Sequence, residues 1–225
     1  MCSPTCVRDF FLCLLTADPL TSLDEAEAAL EQTLMGIVFQ NLTPEEEQDI
    51  MGNQRNVCGG DRPWKYMQCT AGKLSSIGIL YKQISPIEIE FFPPTVKVIV
   101  ICGCAQRARL NVRAFPREAM HINLSSNSLF GHIDLVNLPM RLQYFNVSQN
   151  RLDGPIDLTN LPSTMKEIDV SGNRIKQHVV YYGRLPSSIR RISLGKNSIG
   201  IIAPRDPLDV CPRKDIFWKT EERVN

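Results

Sequence analysis

Asparagine returns at a nearly fixed interval along the second half of this chain, each time just after a short run of alternating apolar residues. Asn127, Asn150, Asn173 and Asn197 are separated by 23, 23 and 24 residues. The segments around them agree with one another: FPREAMHINLSSNSLFGHIDLVN from Phe115, LPMRLQYFNVSQNRLDGPIDLTN from Leu138, LPSTMKEIDVSGNRIKQHVVYYGR from Leu161 and LPSSIRRISLGKNSIG from Leu185. A second piece keeps the same interval independently. Ile87-Glu-Ile89 precedes Phe92-Pro93, Leu110-Asn-Val112 precedes Phe115-Pro116, and Ile133-Asp-Leu135 precedes Leu138-Pro139. Ile156-Asp-Leu158 then precedes Leu161-Pro162, and Val180-Tyr-Tyr182 precedes Leu185-Pro186. Two motifs that hold one period over some 130 residues require a coil of stacked, similar turns.

The template extends backwards in fainter form. FPPTVKVIVICGC from Phe92 sets Val96, Ile99 and Ile101 in register and puts Cys104 where the later turns carry asparagine. One step earlier, Leu74, Ile77 and Ile79 fit the strand positions, and the match is weakest at Lys82. The whole resembles the leucine-rich-repeat pattern LxxLxLxx(N/C)xL, in which cysteine is an accepted alternative to asparagine. The GxIDLxxLP portion is most similar to repeats of plant-receptor type, and also resembles protozoan surface repeat proteins. Its LPxxLxxLxVxxN wording also resembles the arrays of bacterial effector ubiquitin ligases. Only about 20 residues follow the array, too few for a catalytic domain of that kind.

The resemblance implies an α/β repeat solenoid of about six repeats, with a parallel β-sheet on its concave face and a helical N-terminal cap. Residues 1–69 are expected to form an N-terminal segment and that cap, 70–203 the array, and 204–225 a C-terminal cap. Triplets such as Ile122-Asn123-Leu124 read as short strands with apolar side chains on one face. No single turn buries that face alone, so the turns must stack. Asparagine amides carry donors and an acceptor for turn backbone that would otherwise be buried unpaired. Cys104, Asn127, Asn150, Asn173 and Asn197 are therefore expected to be a structural ladder rather than ligand contacts.

A coil exposes raw apolar faces at both ends and needs covering there. Ser22 with Glu25 reads as a capping box, and Ala26, Leu30, Leu34 and Ile37 fall on one helical face. Thr43-Pro44 starts a second, shorter helix. The following stretch, CGGDRPWKYMQC from Cys58 to Cys69, resembles the paired-cysteine, tryptophan-containing cap of extracellular plant-type repeats. That resemblance implies a Cys58–Cys69 disulfide; two reduced cysteines packed as small hydrophobes are the alternative. Near the other end, Ile216, Phe217 and Trp218 suit a short amphipathic cap. Phe10–Ala17 is apolar but follows Asp9 and lacks a small-residue cleavage site, so it reads as a buried capping segment more readily than as a secretion signal.

In repeats of this kind the positions flanking the apolar pair face outward from the concave sheet. One column reads Gly78, Val100, Asn123, Asn146, Asp169 and Ser193; its neighbour reads Ser76, Val98, His121, Tyr144, Glu167 and Arg191. The face passes from apolar to charged along the array. His121, Asn123, Tyr144, Asn146, Glu167, Asp169 and Arg191 are the candidate partner-binding residues, a mixed aromatic and charged cluster of the sort that anchors protein interfaces. Arg190, Arg191 and Lys196 form the basic patch visible in the sequence, and Cys102 is expected to face solvent.

The net charge of +1 gives no overall field to draw nucleic acid or an anionic membrane. No run of about 18 apolar residues spans a bilayer. GxSxG, HExxH, P-loop and GxGxxG motifs are absent, and His132 and His178 read as parts of connecting segments, so no catalytic residue, cofactor or metal site is expected. Of three formal glycosylation sequons, at Asn41, Asn123 and Asn146, the last two follow from the strand wording itself. The expected role is non-catalytic recognition of a protein partner, with a glycan left open, in an extracellular or cell-surface setting. A cytosolic scaffold or regulatory subunit with the same fold is the alternative, and the oxidation state of Cys58 and Cys69 separates the two.

Overall fold

The computed structural model describes residues 23–59, 62–209, 211 and 214–218. Phe10–Ala17 and Ser22 lie outside the described residues. Two helices come first, α1 (Leu23–Val38) and α2 (Pro44–Met51). Asp24 and Glu25 place negative charge in the first turn of α1, where the helix dipole favours it. Thr43 caps α2 by accepting from the Glu46 backbone, and the Glu46 carboxylate accepts from the Thr43 N–H at 2.9 Å, with Pro44 opening the helix. On α1 the deeply buried residues are Glu31, Met35 and Val38, while Leu30, Leu34 and Ile37 are only half-buried. The apolar stripe read from the sequence is thus rotated by one position. The reason is Glu31, whose Oε2 accepts from the Leu74 N–H at 2.9 Å and the Thr95 hydroxyl at 3.2 Å, and so turns an acidic residue into the coil.

The strands follow in chain order: β1 (Met67–Thr70), β2 (Lys73–Leu80), β3 (Val98–Cys102), β4 (His121–Asn123), β5 (Phe130–His132) and β6 (Tyr144–Asn146). Then come β7 (Arg151–Asp153), β8 (Glu167–Asp169), β9 (Lys176–Tyr182), β10 (Arg191–Ser193), β11 (Ser198–Pro204) and β12 (Phe217–Trp218). The main sheet has eight strands in the order β1-β2-β3-β4-β6-β8-β10-β12. β1 pairs antiparallel with β2; all later pairs are parallel. Six coils, begun by β2, β3, β4, β6, β8 and β10, make a β-solenoid.

Register explains the period. Ile99, Ile122, Phe145, Ile168 and Ile192 are successive partners across the sheet, and each is at most 1% exposed. Stacking places each apolar side chain on its counterpart one turn away, a burial that contributes about 1.5–3 kcal/mol per residue. The second sequence piece forms short 3-10 turns at Ile89–Phe91, Val112–Ala114 and Leu135–Asn137, which bury Ile89, Val112 and Leu135. Each ends at Phe92, Phe115 or Leu138 in extended geometry, because the proline that follows excludes helical backbone.

Two small parallel sheets lie beyond the ladder positions, β5 with β7 and β9 with β11. His132 and His178 are therefore strand residues, not members of irregular connections. At the C-terminal end, β12 extends the main sheet beside β10, with Ile216 and Phe217 buried. The apolar cluster expected there as an amphipathic cap is a two-residue parallel strand. Among the described residues no helix is long and apolar enough to cross a membrane.

Candidate functional site

One residue before each ladder position the backbone enters the left-handed region: Gly103, Ser126, Gln149, Gly172 and Lys196 have φ between 54° and 66°. This kink aims the next side chain into the turn. The Asn150 amide donates to the carbonyls of Leu124 in the preceding coil (2.9 Å) and of Val147 and Ser148 in its own (both 3.1 Å). Its Oδ1 accepts from the Leu129 N–H at 2.9 Å. Asn127, Asn173 and Asn197 repeat the pattern one coil before or after. Cys104 donates its thiol to the carbonyls of Ile79 and Cys102, both at 3.3 Å. Burial pushes that thiol's pKa up, which keeps the donor proton in place.

Gln106, only 4% exposed, adds a buried amide beside the ladder: Oε1 accepts from the Ile87 N–H at 2.8 Å, and Nε2 donates to the Ile84 and Cys104 carbonyls; Gln177 does the same for the Ile156 N–H and carbonyl. Sequence reasoning missed Gln106.

On the outer side of the main sheet, His121, Tyr144, Glu167 and Arg191 are consecutive register partners across β4, β6, β8 and β10. The His121 and Tyr144 rings lie 5.4 Å apart. Lys166 places its ammonium 5.6 Å from the centre of the Tyr144 ring, and the Arg191 guanidinium lies 4.5 Å from that of Trp218. Burial lowers the His121 pKa, with Glu167 opposing it, so the imidazole is neutral at pH 7. The second row is Asn123, Asn146 and Asp169. One oxygen of each is committed to its own turn, accepting from the N–H of Ser125, Ser148 or Ser171 at 2.9–3.0 Å. All seven of these residues line one shallow, open depression of about 250 Å³. It combines an aromatic ring, both signs of charge and amide groups over a rigid sheet.

Three sequence expectations need correction. Cys102 is buried, 6% exposed, and shares a hydrogen bond with the Ser125 hydroxyl at 3.2 Å, because the turn after β3 folds it under the next coil. Ser193 is 4% exposed, being covered by β12 and by the Arg191 Nε that donates to it at 2.9 Å. The basic patch at Arg190, Arg191 and Lys196 is not the largest gathering of cations. Four arginines brought together from three coils lie beside β5 and β7.

Cys58 and Cys69 form a disulfide with their Cα atoms 5.8 Å apart. Beside it, Trp64 is 3% exposed, packs 6.4 Å from Phe39 and donates Nε1 to the Gln54 carbonyl.

The sequence matches no protein-family model and no curated protein. The fold is similar to solved structures. A pollen receptor kinase 3 structure is 17% identical with a TM-score of 0.57, over 82% of this chain and 95% of that one. The leucine-rich-repeat ectodomain of the receptor kinase SOBIR1 from Arabidopsis thaliana is 14% identical with a TM-score of 0.56, over 78% and 97%. That of the Arabidopsis receptor kinase HAESA is 16% identical with a TM-score of 0.58, over 77% of this chain and 30% of that one. Identity at this level speaks to fold. Taken with the parallel coil and a ladder side chain in every turn from Cys104 to Asn197, it makes this chain a leucine-rich-repeat solenoid.

Proposed function

We propose that this chain is a non-catalytic recognition module that binds a protein partner across the concave side of its main sheet, centred on Tyr144. The observation that carries this reading is the convergence of His121, Tyr144, Glu167 and Arg191 on one open depression. Aromatic and arginine side chains on a rigid platform lose little entropy on contact and dominate interface energetics. The helices before the array and the Phe217–Trp218 strand after it serve as caps. Several structures of this fold support the reading by what they hold: HAESA with the peptide hormone IDA, BIR3 with SERK2, and PEPR1 with AtPEP1. An extracellular or cell-surface setting is supported by the Cys58–Cys69 disulfide, a bond that persists in oxidising compartments.

The test is capture on the immobilised protein from the extracellular fraction of its native source. The double variant Tyr144→Ala/Arg191→Ala keeps the wild-type melting curve and weakens capture of the partner by about 30-fold, the loss of roughly 2 kcal/mol of interface energy. Capture that survives the double variant would place the binding surface elsewhere.

A further inference from the structure

The four arginines beside β5 and β7 belong to a different surface from the depression on the main sheet. Arg107 and Arg109 come from the coil begun by β3, Arg151 from that begun by β6, and Arg174 from that begun by β8. All four are exposed, and together they surround a hollow of about 400 Å³. Register sets Arg109 beside Phe130 and Phe130 beside Arg151, so an exposed aromatic residue lies between two arginine positions. Gly131 forms part of the floor, and the Arg109 side chain runs over it: a Cβ there would lie 3.1 Å from Arg109 Cγ.

The charges of this cluster are uncompensated. Two exposed arginines elsewhere have carboxylate partners, Arg113 with Asp134 and Arg141 with Glu118; what sets these four apart is that they gather at one hollow. Among the described residues, none of the four has a carboxylate partner. The single carboxylate in the hollow, Asp153, is held by His132 at 3.0 Å. On a chain with a net charge of only +1, four unpaired guanidiniums in one place are a local excess that an anion can satisfy.

The shape selects a polymer over a single ion. Neighbouring strands lie about 4.8 Å apart, so cations from the β3 coil to the β8 coil span roughly 14 Å along the solenoid axis. A lone oxyanion occupies one end of that row; a linear chain of them occupies all of it. The guanidinium fork suits bidentate contact with oxyanions and is weakly hydrated, and the cluster contains no lysine. The disulfide points to an oxidising compartment, where the extended oxyanion polymers are sulfated polysaccharides rather than RNA. Phe130 then offers its face to the apolar side of a sugar ring.

We propose that Arg107, Arg109, Arg151 and Arg174, with Phe130, form a binding row for a linear sulfated polysaccharide, separate from the concave site and independent of it. The experiment uses labelled heparin oligosaccharide as the probe, read by fluorescence anisotropy against the full chain. The wild-type protein binds it with an affinity that falls as salt rises. The triple variant Arg109→Ala/Arg151→Ala/Arg174→Ala binds about tenfold or more weakly, with an unchanged melting curve because all three side chains are exposed. Arg113→Ala/Arg117→Ala/Arg141→Ala, which removes the same charge from other exposed positions, retains the affinity. Tyr144→Ala/Arg191→Ala also retains it, whatever that variant does to capture of a protein partner. Equal loss in both arginine triples would overturn the site, as would no loss in the first. Oligo-dT holding on at higher salt than heparin would overturn the choice of partner.

Discussion

Asn150 joins two coils through four hydrogen bonds while itself only 8% exposed. Replacing it with alanine leaves the Leu129 N–H buried without its acceptor and takes one of two donors from each of three carbonyls, which keep Asn127, Asn173 and the Ser126 N–H. The desolvation cost of such groups sets the expected loss at about 1–3 kcal/mol for Asn150→Ala, measured by chemical denaturation. An unchanged curve would mean that the turn re-pairs these groups without the amide. The period gave this residue away in the sequence, since asparagine is polar and yet recurs in step with buried leucine and isoleucine. Gln106 was not legible in the same way. The backbone groups it binds are brought to it only by folding, and the second glutamine in this role, Gln177, stands four residues after its ladder position rather than two, so no period marks the pair. Cys102 misled for a related reason. Alternation along β3 puts it on the outer face, but the turn that follows overrides alternation at the strand's last residue.

Among the elements, α2 is tied to the first coil by Asp49, whose carboxylate meets the ammonium groups of both Lys65 and Lys82. The hydrogen bond from Lys65, then that from Lys82, brings the Asp49 pKa down to about 2. The unfolded chain has a value of about 3.9, so the folded state holds this proton less tightly. The contribution is therefore complete above about pH 4 and is lost as pH falls through about 2. Wild type is expected to melt above Asp49→Asn at neutral pH, with the gap closing over that acid range and narrowing in high salt, because the group is partly exposed. A gap that is constant with pH would assign the effect to packing. None of this was visible beforehand, because Asp49, Lys65 and Lys82 are brought together only by folding. The sheet of β5 and β7 escaped for a different reason: FGH and RLD are too short and too polar to show a strand period. The arginine cluster was hidden by the same scatter, its members lying in separate coils.

For the whole molecule, quasi-one-dimensional stacking makes damage local. Each coil pairs with the one before and the one after, so an end can open while the middle stays shut. β12 protects the C-terminal end: Phe217 is 5% exposed, its ring lies 5.3 Å from that of Tyr182, and the Trp218 carbonyl accepts from the Leu194 N–H at 2.7 Å. Its chemistry was legible in the sequence as an apolar cluster near the end, but two residues carry no period from which to read a strand. Phe217→Ala removes a buried ring at a cost of about 3–5 kcal/mol, more than one terminal coil can absorb. Hydrogen exchange read by mass spectrometry should then show protection lost in β10 first, less in β8, and unchanged in β3 and β4. The residues of the main-sheet depression would separate accordingly. Arg191 loses its Trp218 platform, whereas the contact between His121 and Tyr144 persists. Uniform loss of protection from β2 to β10 would show instead that the six coils unfold as one unit, and that the aromatic strand at the end holds the whole array rather than its last turn.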